Sequence, residues 1–282
     1  MPSRRVPPSE PARSSAPGRR REPSVVRRVS DILNLFGEER PQIDLEDAEQ
    51  VLGLSRATAY RYLREMHEVG LLSRAAGKYM PGPKMIELEF IIARYDPLLV
   101  AAKEPMTALS GKTGCDVLLG RLYGIRVVNV ASVVTSKNAE LNFPPGRTVP
   151  LFRGSEARIV LAAMDRRTRR RVFDLGDGDP HRDRIGKDWP SFNATLQQNR
   201  KDGFYVSRGE LDDDVIGIAA PIFDEDTAVI GSIVLTLRSD RPPATPEDAL
   251  IDAVKTTAAE ITGRIRRNHE TRSTHARRTA VR

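Results

Sequence analysis

At 282 residues the chain has room for about two domains with separate cores, and its single cysteine, Cys115, excludes an intramolecular disulfide framework and points to a reduced, cytoplasmic setting. No apolar run approaches a membrane span, and the opening MPSRRVPPSEPARSSAPGRRR lacks the apolar core of a signal peptide. The net charge of +7 belongs to the ends: residues 1–28 hold eight arginines against two glutamates and residues 264–282 seven against one, so the body between is mildly acidic and the global charge does not argue that it binds nucleic acid.

Residues 1–23, rich in Pro, Ser and Arg and without aromatics, read as a disordered basic tail. Its arginines serve solubility alone or contact phosphates and the minor groove beside a binding site. Behind a Ser24 cap, Val25, Val26, Val29, Ile32, Leu33 and Phe36 keep helical spacing and give the first helix of a three-helix core.

The stretch 44–72, DLEDAEQVLGLSRATAYRYLREMHEVGLL, predicts two short helices joined by a tight turn at Gly53. Asp44 caps the first with Asp47 three residues on, and Leu45, Ala48 and Val51 form its apolar stripe. Ser55 caps the second, Ala59, Leu63 and Met66 form its buried face, and Gly70 ends it. Arg56, Tyr60, Arg61 and Arg64 occupy the opposite face, with the long hydrogen-bonding side chains that phosphate clamping and base-edge readout require. An ordinary helix pair with a solvated basic face has the same pattern. The segment after Gly70 favours DNA: LLSRAAGKYMPG reads as two short extended pieces around Gly77 bearing Arg74 and Lys78, the wing that succeeds a recognition helix.

Residues 83–96 predict a linker helix, with Pro83 in its first turn and Met85, Ile86, Leu88, Phe90 and Ile92 giving it a broad apolar surface. That surface packs within its own subunit or pairs two copies, and two-fold pairing would demand a roughly palindromic operator. Beyond Asp96-Pro97 strands and helices alternate. A hairpin spans 116–122 and 125–132 around Tyr123-Gly124; helices cover 155–163, 166–173 and 192–201; the β-branched runs 215–223 and 229–237 flank an Asp224-Glu225-Asp226 turn; and 247–267 forms a closing helix before a basic tail, 268–282. The run Arg166-Arg167-Thr168-Arg169-Arg170-Arg171 reads as a solvated helical face rather than a second nucleic-acid site. Gly154-Ser155 at a helix start offers N–H groups and a hydroxyl suited to an anionic ligand group, or is an ordinary cap beside Arg153.

The order of GLSRATAYRYL, EVGLLSR, GKYMPGPKMIEL, VPLFRGSEARIVLAAM, GFYVSRGELDDDVIGIAAPIFD and VIGSIVLTL, spread over residues 24–267, resembles the IclR family of bacterial transcriptional regulators. The resemblance implies an α+β chain: an N-terminal winged helix-turn-helix (24–82), a linker helix (83–96) and a C-terminal GAF-like antiparallel-sheet effector-binding domain (97–267). It implies a homodimer or dimer of dimers on double-stranded DNA. The candidate DNA-contacting residues are Ser55, Arg56, Ala57, Thr58, Tyr60, Arg61, Arg64, Arg74 and Lys78; Thr58, Arg61 and Leu63 match the family pattern, while Ala57 and Tyr60 depart from it. The candidate effector-binding residues are Leu118, Asn129, Gly154, Ser155, Asp212, Gly217, Val234 and Thr236. Family members often place small polar residues where this chain has Gly217 and Val234, which tilts the effector toward a larger or more apolar compound, such as an aromatic catabolite or organic acid.

An enzyme is the remote alternative. No His or Cys stands at metal-ligand spacing from another, Cys115 enters an apolar strand, Asp177-Gly178-Asp179 is a turn without the further ligands of a calcium loop, and neither a phosphate-binding glycine fingerprint nor a nucleophile elbow occurs. No cofactor or metal is expected. The expected function is a ligand-responsive, sequence-specific DNA-binding regulator of a catabolic or biosynthetic operon; in the rival reading the C-terminal domain only mediates oligomerisation.

Overall fold

The computed structural model describes residues 24–135, 144–240 and 244–280. Two compact units divide between Phe90 and Ile91, inside the helix expected to be a linker. The proposed basic tail 1–23 lies outside the described residues.

In the first unit, Ser24 accepts from the Arg27 amide and opens α1 (Val25–Leu33). Only Ile32 of α1 is fully buried; Val25 and Val26, expected in the apolar stripe, are exposed because the first turn projects past the three-helix core. Helix α2 (Leu45–Leu52) starts with a reciprocal capping box between Asp44 and Asp47. Ala48 is buried and Leu45 partly so, whereas Val51 faces solvent and Leu52, one position on, packs against the core instead. Gly53 ends it at φ +59°, the left-handed conformation a tight helix-turn-helix corner needs. Helix α3 (Arg56–Glu68) buries Ala59, Leu63 and Met66 as expected and, in addition, Tyr62.

The wing is a hairpin of β1 (Leu72–Ala75) and β2 (Lys78–Pro81), closed by Ala76 and Gly77, both at positive φ, with Ala75 paired to Lys78. Two positive φ values in a two-residue loop match the right-handed twist of the strands. Tyr79 exchanges both backbone hydrogen bonds with Ile43, fastening the wing to the segment before α2. Helix α4 (Pro83–Tyr95) comes next and buries no side chain: Ile86, Phe90, Ile91 and Tyr95 are all more than half exposed.

In the second unit, Asp96 caps α5 (Pro97–Thr113) by accepting from the Leu98 and Leu99 amides and also pairs with Arg121 at 2.7 Å. Strands β3 (Asp116–Tyr123), β4 (Arg126–Val133), β5 (Thr148–Val149), β6 (Tyr205–Arg208), β7 (Val215–Phe223) and β8 (Val229–Arg238) form, among the described residues, one antiparallel sheet in the order β5-β4-β3-β8-β7-β6. The first hairpin turns at Gly124-Ile125, one residue later than expected, because Gly124 takes the positive φ. Strands β5 and β6, too short to show an alternating pattern, were not expected.

Two cores sandwich the sheet. On one face Val117, Leu119, Ile218, Ala220, Ile222, Ile233 and Leu235 meet α5 and α10 (Glu247–Ala280). On the other, Leu118, Val127, Ala219 and Val234 meet α6 (Gly154–Ala163), α7 (Arg166–Leu175), α8 (Pro180–Ile185) and α9 (Trp189–Asp202). The strict alternation of neighbours along β3, β7 and β8 between these cores is the two-residue period of a strand buried on both faces. Helix α10 continues to Ala280 instead of ending at Arg267: residues 268–280 contain neither Gly nor Pro, so nothing stops it, and the expected separate tail is helical over most of its length. The arginine run on α7 is not uniformly solvated either. Arg169 is buried and donates to the Ala162 carbonyl at 3.1 Å, and Arg170 lies over Phe173 and Trp189 while pairing with Asp174.

Candidate nucleic-acid interface and effector site

Helix α3 presents Arg56, Ala57, Tyr60, Arg61 and Arg64 to solvent on the side away from Ala59, Tyr62, Leu63 and Met66. Spacing of four along the helix puts Arg56, Tyr60 and Arg64 on one ridge and Ala57 and Arg61 on the next. Ser55 and Thr58 act locally, since Thr58 N–H donates to Ser55 Oγ at 3.4 Å and the two hydroxyls lie 2.8 Å apart, so both begin engaged in the cap. Two of the arginines also start in ion pairs, Arg56 with Glu49 at 3.4 Å and Arg64 with Glu68 at 2.8 Å. Arg61 rests over the Tyr62 ring, 5.5 Å from its centroid, an arrangement that leaves the guanidinium edge available for donors. On the wing, Arg74 lies over Tyr79 at 5.4 Å and Lys78 stands at the hairpin end. The six polar side chains Arg56, Tyr60, Arg61, Arg64, Arg74 and Lys78 are all exposed, and all belong to the helix-turn-helix and its wing.

Of the candidate effector residues, Leu118, Asn129, Gly217, Val234 and Thr236 share the α6 face of the sheet. Cross-strand register aligns Leu118 with Val234 and Val234 with Ala219, and sets Gly217 beside Thr236. Helix α6 begins directly above: a Cβ on Gly217 would lie 2.5 Å from Ser155 Oγ and 3.0 Å from Ser207 Oγ. The side-chain volume that glycine leaves vacant at 217 is filled by two serines of this chain. Ser207 was missed by sequence reasoning, since a lone serine on a four-residue strand gives no signal. Its hydroxyl accepts from the Ser155 amide at 3.1 Å.

The α6 N-terminus, read as an anion seat, is already served from within. Gly154 N–H donates to Glu210 Oε2 at 2.8 Å, and Tyr205 donates its hydroxyl to Glu210 Oε1 at 2.7 Å. Burial, then the Glu210 carboxylate, push the Tyr205 phenol up to about 12, so it stays a donor. Arg153 ties down the same loop through the Glu210 and Leu211 carbonyls, at 2.7 and 3.3 Å. Gly154 holds φ +79°, and a Cβ there would meet Leu211 at 2.6 Å. Asp212 takes part in this loop through its backbone, its carbonyl accepting from the Val215 amide. Glu210, two residues earlier, supplies the carboxylate that faces α6.

The next residue of α6 departs most from a simple packing role. Glu156 is fully buried, and burial pushes its carboxyl up to about 8. Asn129 lies fully buried on the same face. Cys115 is a packed core thiol, its pKa raised by burial, and donates weakly to the Thr113 carbonyl.

Residues 25–76 match the IclR helix-turn-helix domain, and residues 93–263 match the bacterial transcriptional regulator IclR C-terminal domain. The HTH-type transcriptional regulator KdgR of Escherichia coli is 26% identical over 215 residues, covering 76% of this chain and 81% of the relative. KipR of Bacillus subtilis is 26% identical over 249 residues, covering 83% and 94%. Among solved structures, an IclR transcriptional regulator from Alicyclobacillus acidocaldarius superposes with a TM-score of 0.71 at 22% identity, over 85% of this chain and 97% of the other. An IclR homologue from Microbacterium hydrocarbonoxydans complexed with 4-hydroxybenzoate gives 0.68 at 19% identity, over 86% and 99%. Helix-turn-helix, wing and helix-covered sheet thus occur in the order, and over the span, of one family: the chain belongs to the IclR family of bacterial transcriptional regulators, with a helix-turn-helix DNA-binding domain and a C-terminal ligand-binding domain.

Proposed function

We propose that this regulator works as a cytoplasmic homodimer or dimer of dimers on a pseudo-palindromic operator, reading bases with Tyr60, Arg61 and Arg64 and clamping phosphates with Arg56, Arg74 and Lys78, and that a small organic or aromatic acid bound in the sheet domain controls a catabolic or biosynthetic operon. The observation that supports it most is the exposed α3 face, where long donors stand at helical spacing opposite a fully packed core. Ser55, Ala57 and Thr58 serve the same interface at the helix start, where backbone and small side chains approach the phosphates.

The boundaries that go with this reading are a DNA-binding domain at 24–82, a linker helix at 83–96 and an effector domain at 97–267; the division between Phe90 and Ile91 supports a joint within that linker. Dimerisation is supported by α4, whose Ile86, Phe90, Ile91 and Tyr95 are each more than half exposed. For the effector, the reading places Leu118, Asn129, Gly154, Ser155, Gly217, Val234 and Thr236, with Ser207, around one cleft under α6, and Asp212 in the loop that closes it. The chain binds its ligand without transforming it, in keeping with relatives that are regulators.

The rival reading, a sheet domain that only mediates oligomerisation, has one observation in its favour: Glu210 and Ser207 already satisfy the first amides of α6. Thermal melts of the full chain against catabolic acids and aromatics, 4-hydroxybenzoate among them, distinguish the two. A true effector raises the melting temperature with concentration and changes operator affinity; a panel that does neither supports the oligomerisation reading.

A further inference from the structure

At the centre of the sheet, Gly120 on β3 has Asn129 on β4 and Ser232 on β8 as its direct cross-strand neighbours. Side chains at paired positions point to one face, and here that face is the one under α6: a Cβ on Gly120 would lie 1.8 Å from Glu156 Oε1. Only a glycine lets this carboxyl lie on the sheet. Glu156 is 5% exposed and Ser232 wholly buried, and neither Glu156 Oε1 nor Ser232 Oγ has a hydrogen-bond partner. Leaving two oxygens unpaired in one buried spot is unfavourable, and an apolar pair of similar volume would pack there without that penalty. The spot adjoins the effector cleft proposed above, since Glu156 follows Ser155 on α6 and Ser232 lies two residues from Val234 on β8.

We propose that Glu156 and Ser232, flanked by Asn129 over Gly120, form an uncharged polar subsite of the effector cleft that takes a hydroxyl group of the effector. The inference rests on the sheet domain being a sensor. A hydroxyl is both donor and acceptor, and so is each of a protonated carboxyl, a serine and an amide, so one inserted hydroxyl satisfies the unpaired oxygens without bringing a charge into the core. The raised affinity of the Glu156 carboxyl for its proton agrees, since the acid form is the one that both donates and accepts. A carboxylate would bring a charge into the core with no cation among Glu156, Ser232 and Asn129 to offset it. An ammonium group would have to draw the proton off Glu156 and bury an ion pair, the costlier arrangement.

Matched pairs test this on the full chain by calorimetric titration: 4-hydroxybenzoate with benzoate and 3-hydroxybenzoate for a phenol, lactate with propanoate for an alcohol, and 4-(aminomethyl)benzoate for a cation. The hydroxylated member of the phenol or the alcohol pair should bind at least about tenfold more tightly than its partner, because a site built to bond a hydroxyl rejects the analogue without one. Ser232→Ala and Glu156→Leu should bring the two members to within about threefold by weakening the hydroxylated one alone, whereas Glu156→Gln, still donor and acceptor, should keep most of the preference. Pairs that bind equally, or a preference untouched by Ser232→Ala and Glu156→Leu, overturn the subsite and leave the sensor reading standing; such a result means that water alone satisfies these oxygens. Tightest binding of the aminomethyl compound also overturns it. Binding of no probe at all overturns both readings.

Discussion

A carboxyl pushed up to about 8 inside a folded domain makes stability depend on pH in a direction that can be calculated. The unfolded Glu156 side chain titrates at its ordinary value of 4.5, and the folded one at about 8, with burial as the cause. Between these values the folded chain keeps a proton that the unfolded chain has released. Stability is therefore highest below 4.5, falls as the pH rises through that window, and levels off above 8. A one-unit difference is worth about 1.4 kcal/mol, which makes the loss from this group roughly 1 kcal/mol at pH 5 and about 3 kcal/mol at pH 7. Glu156→Gln removes the titration while keeping volume and hydrogen-bonding capacity. Trp189 is the chain's only tryptophan and belongs to the sheet unit, so its fluorescence follows the unfolding of that unit. Wild type should lose about 2 kcal/mol relative to the variant between pH 5 and pH 7, or roughly 4–8 °C in melting temperature for a unit of this size. Every other titrating group is common to both proteins and cancels. Melting curves that stay parallel over this range would refute the reasoning and show that solvent or a counter-charge reaches Glu156.

Other perturbations address the interface and the cleft. Arg61→Ala should cost operator affinity about 1–3 kcal/mol and relax base preference at one position, read by fluorescence anisotropy on specific and scrambled duplexes. Glu49→Ala removes the carboxylate paired with Arg56; binding to any duplex should tighten and the salt dependence steepen by about one phosphate contact, whereas an unchanged slope would mean that Arg56 does not reach the backbone. Replacing Arg166, Arg167 and Arg170 together by Ala should leave operator affinity nearly intact, and a loss equal to that from Arg61→Ala would reveal a second DNA surface. Gly217→Ala places a methyl group against Ser155 and Ser207; a destabilisation of about 1–3 kcal/mol is expected from overpacking, seen as a lower Trp189 melting temperature.

Much of the DNA-binding unit was legible because its signals are local. Asp44 with Asp47, Ser55, Gly53 and the Ala76-Gly77 loop are short-range devices, and each formed as its spacing predicts. Val25, Val26 and Val51 misled because hydrophobic period shows which residues could be buried, while coverage by neighbouring elements decides which are. The same limit applies to Arg169, hidden in a basic run yet tied to the Ala162 carbonyl by the packing of α7 on α6.

The sheet domain's strands could be read, but its site could not. Ser207 and Glu210, on and just after β6, meet the start of α6, while Glu156 of α6 lies against Gly120 of β3, and only the six-strand order brings β6 and β3 under one helix. Glu156 in particular sits in VPLFRGSEARIVLAAM as an unremarkable helix-start acid, where the N-terminal turn favours a negative charge. Its full burial over Gly120 follows from cross-strand register, which a single sequence does not encode in any short window. The surroundings of Gly217 were hidden for the same reason: the two serines that fill its side-chain volume belong to other elements.

The central claim is that one chain couples ligand in the sheet domain to DNA on α3. A thermodynamic cycle tests it most directly: operator affinity by anisotropy on a selected duplex with and without a compound that raises the melting temperature, and affinity for that compound with and without the duplex. Coupling predicts the same factor in both directions, about 5- to 150-fold, and no such factor on a scrambled duplex. Equal operator affinity with and without a bound ligand would contradict the account.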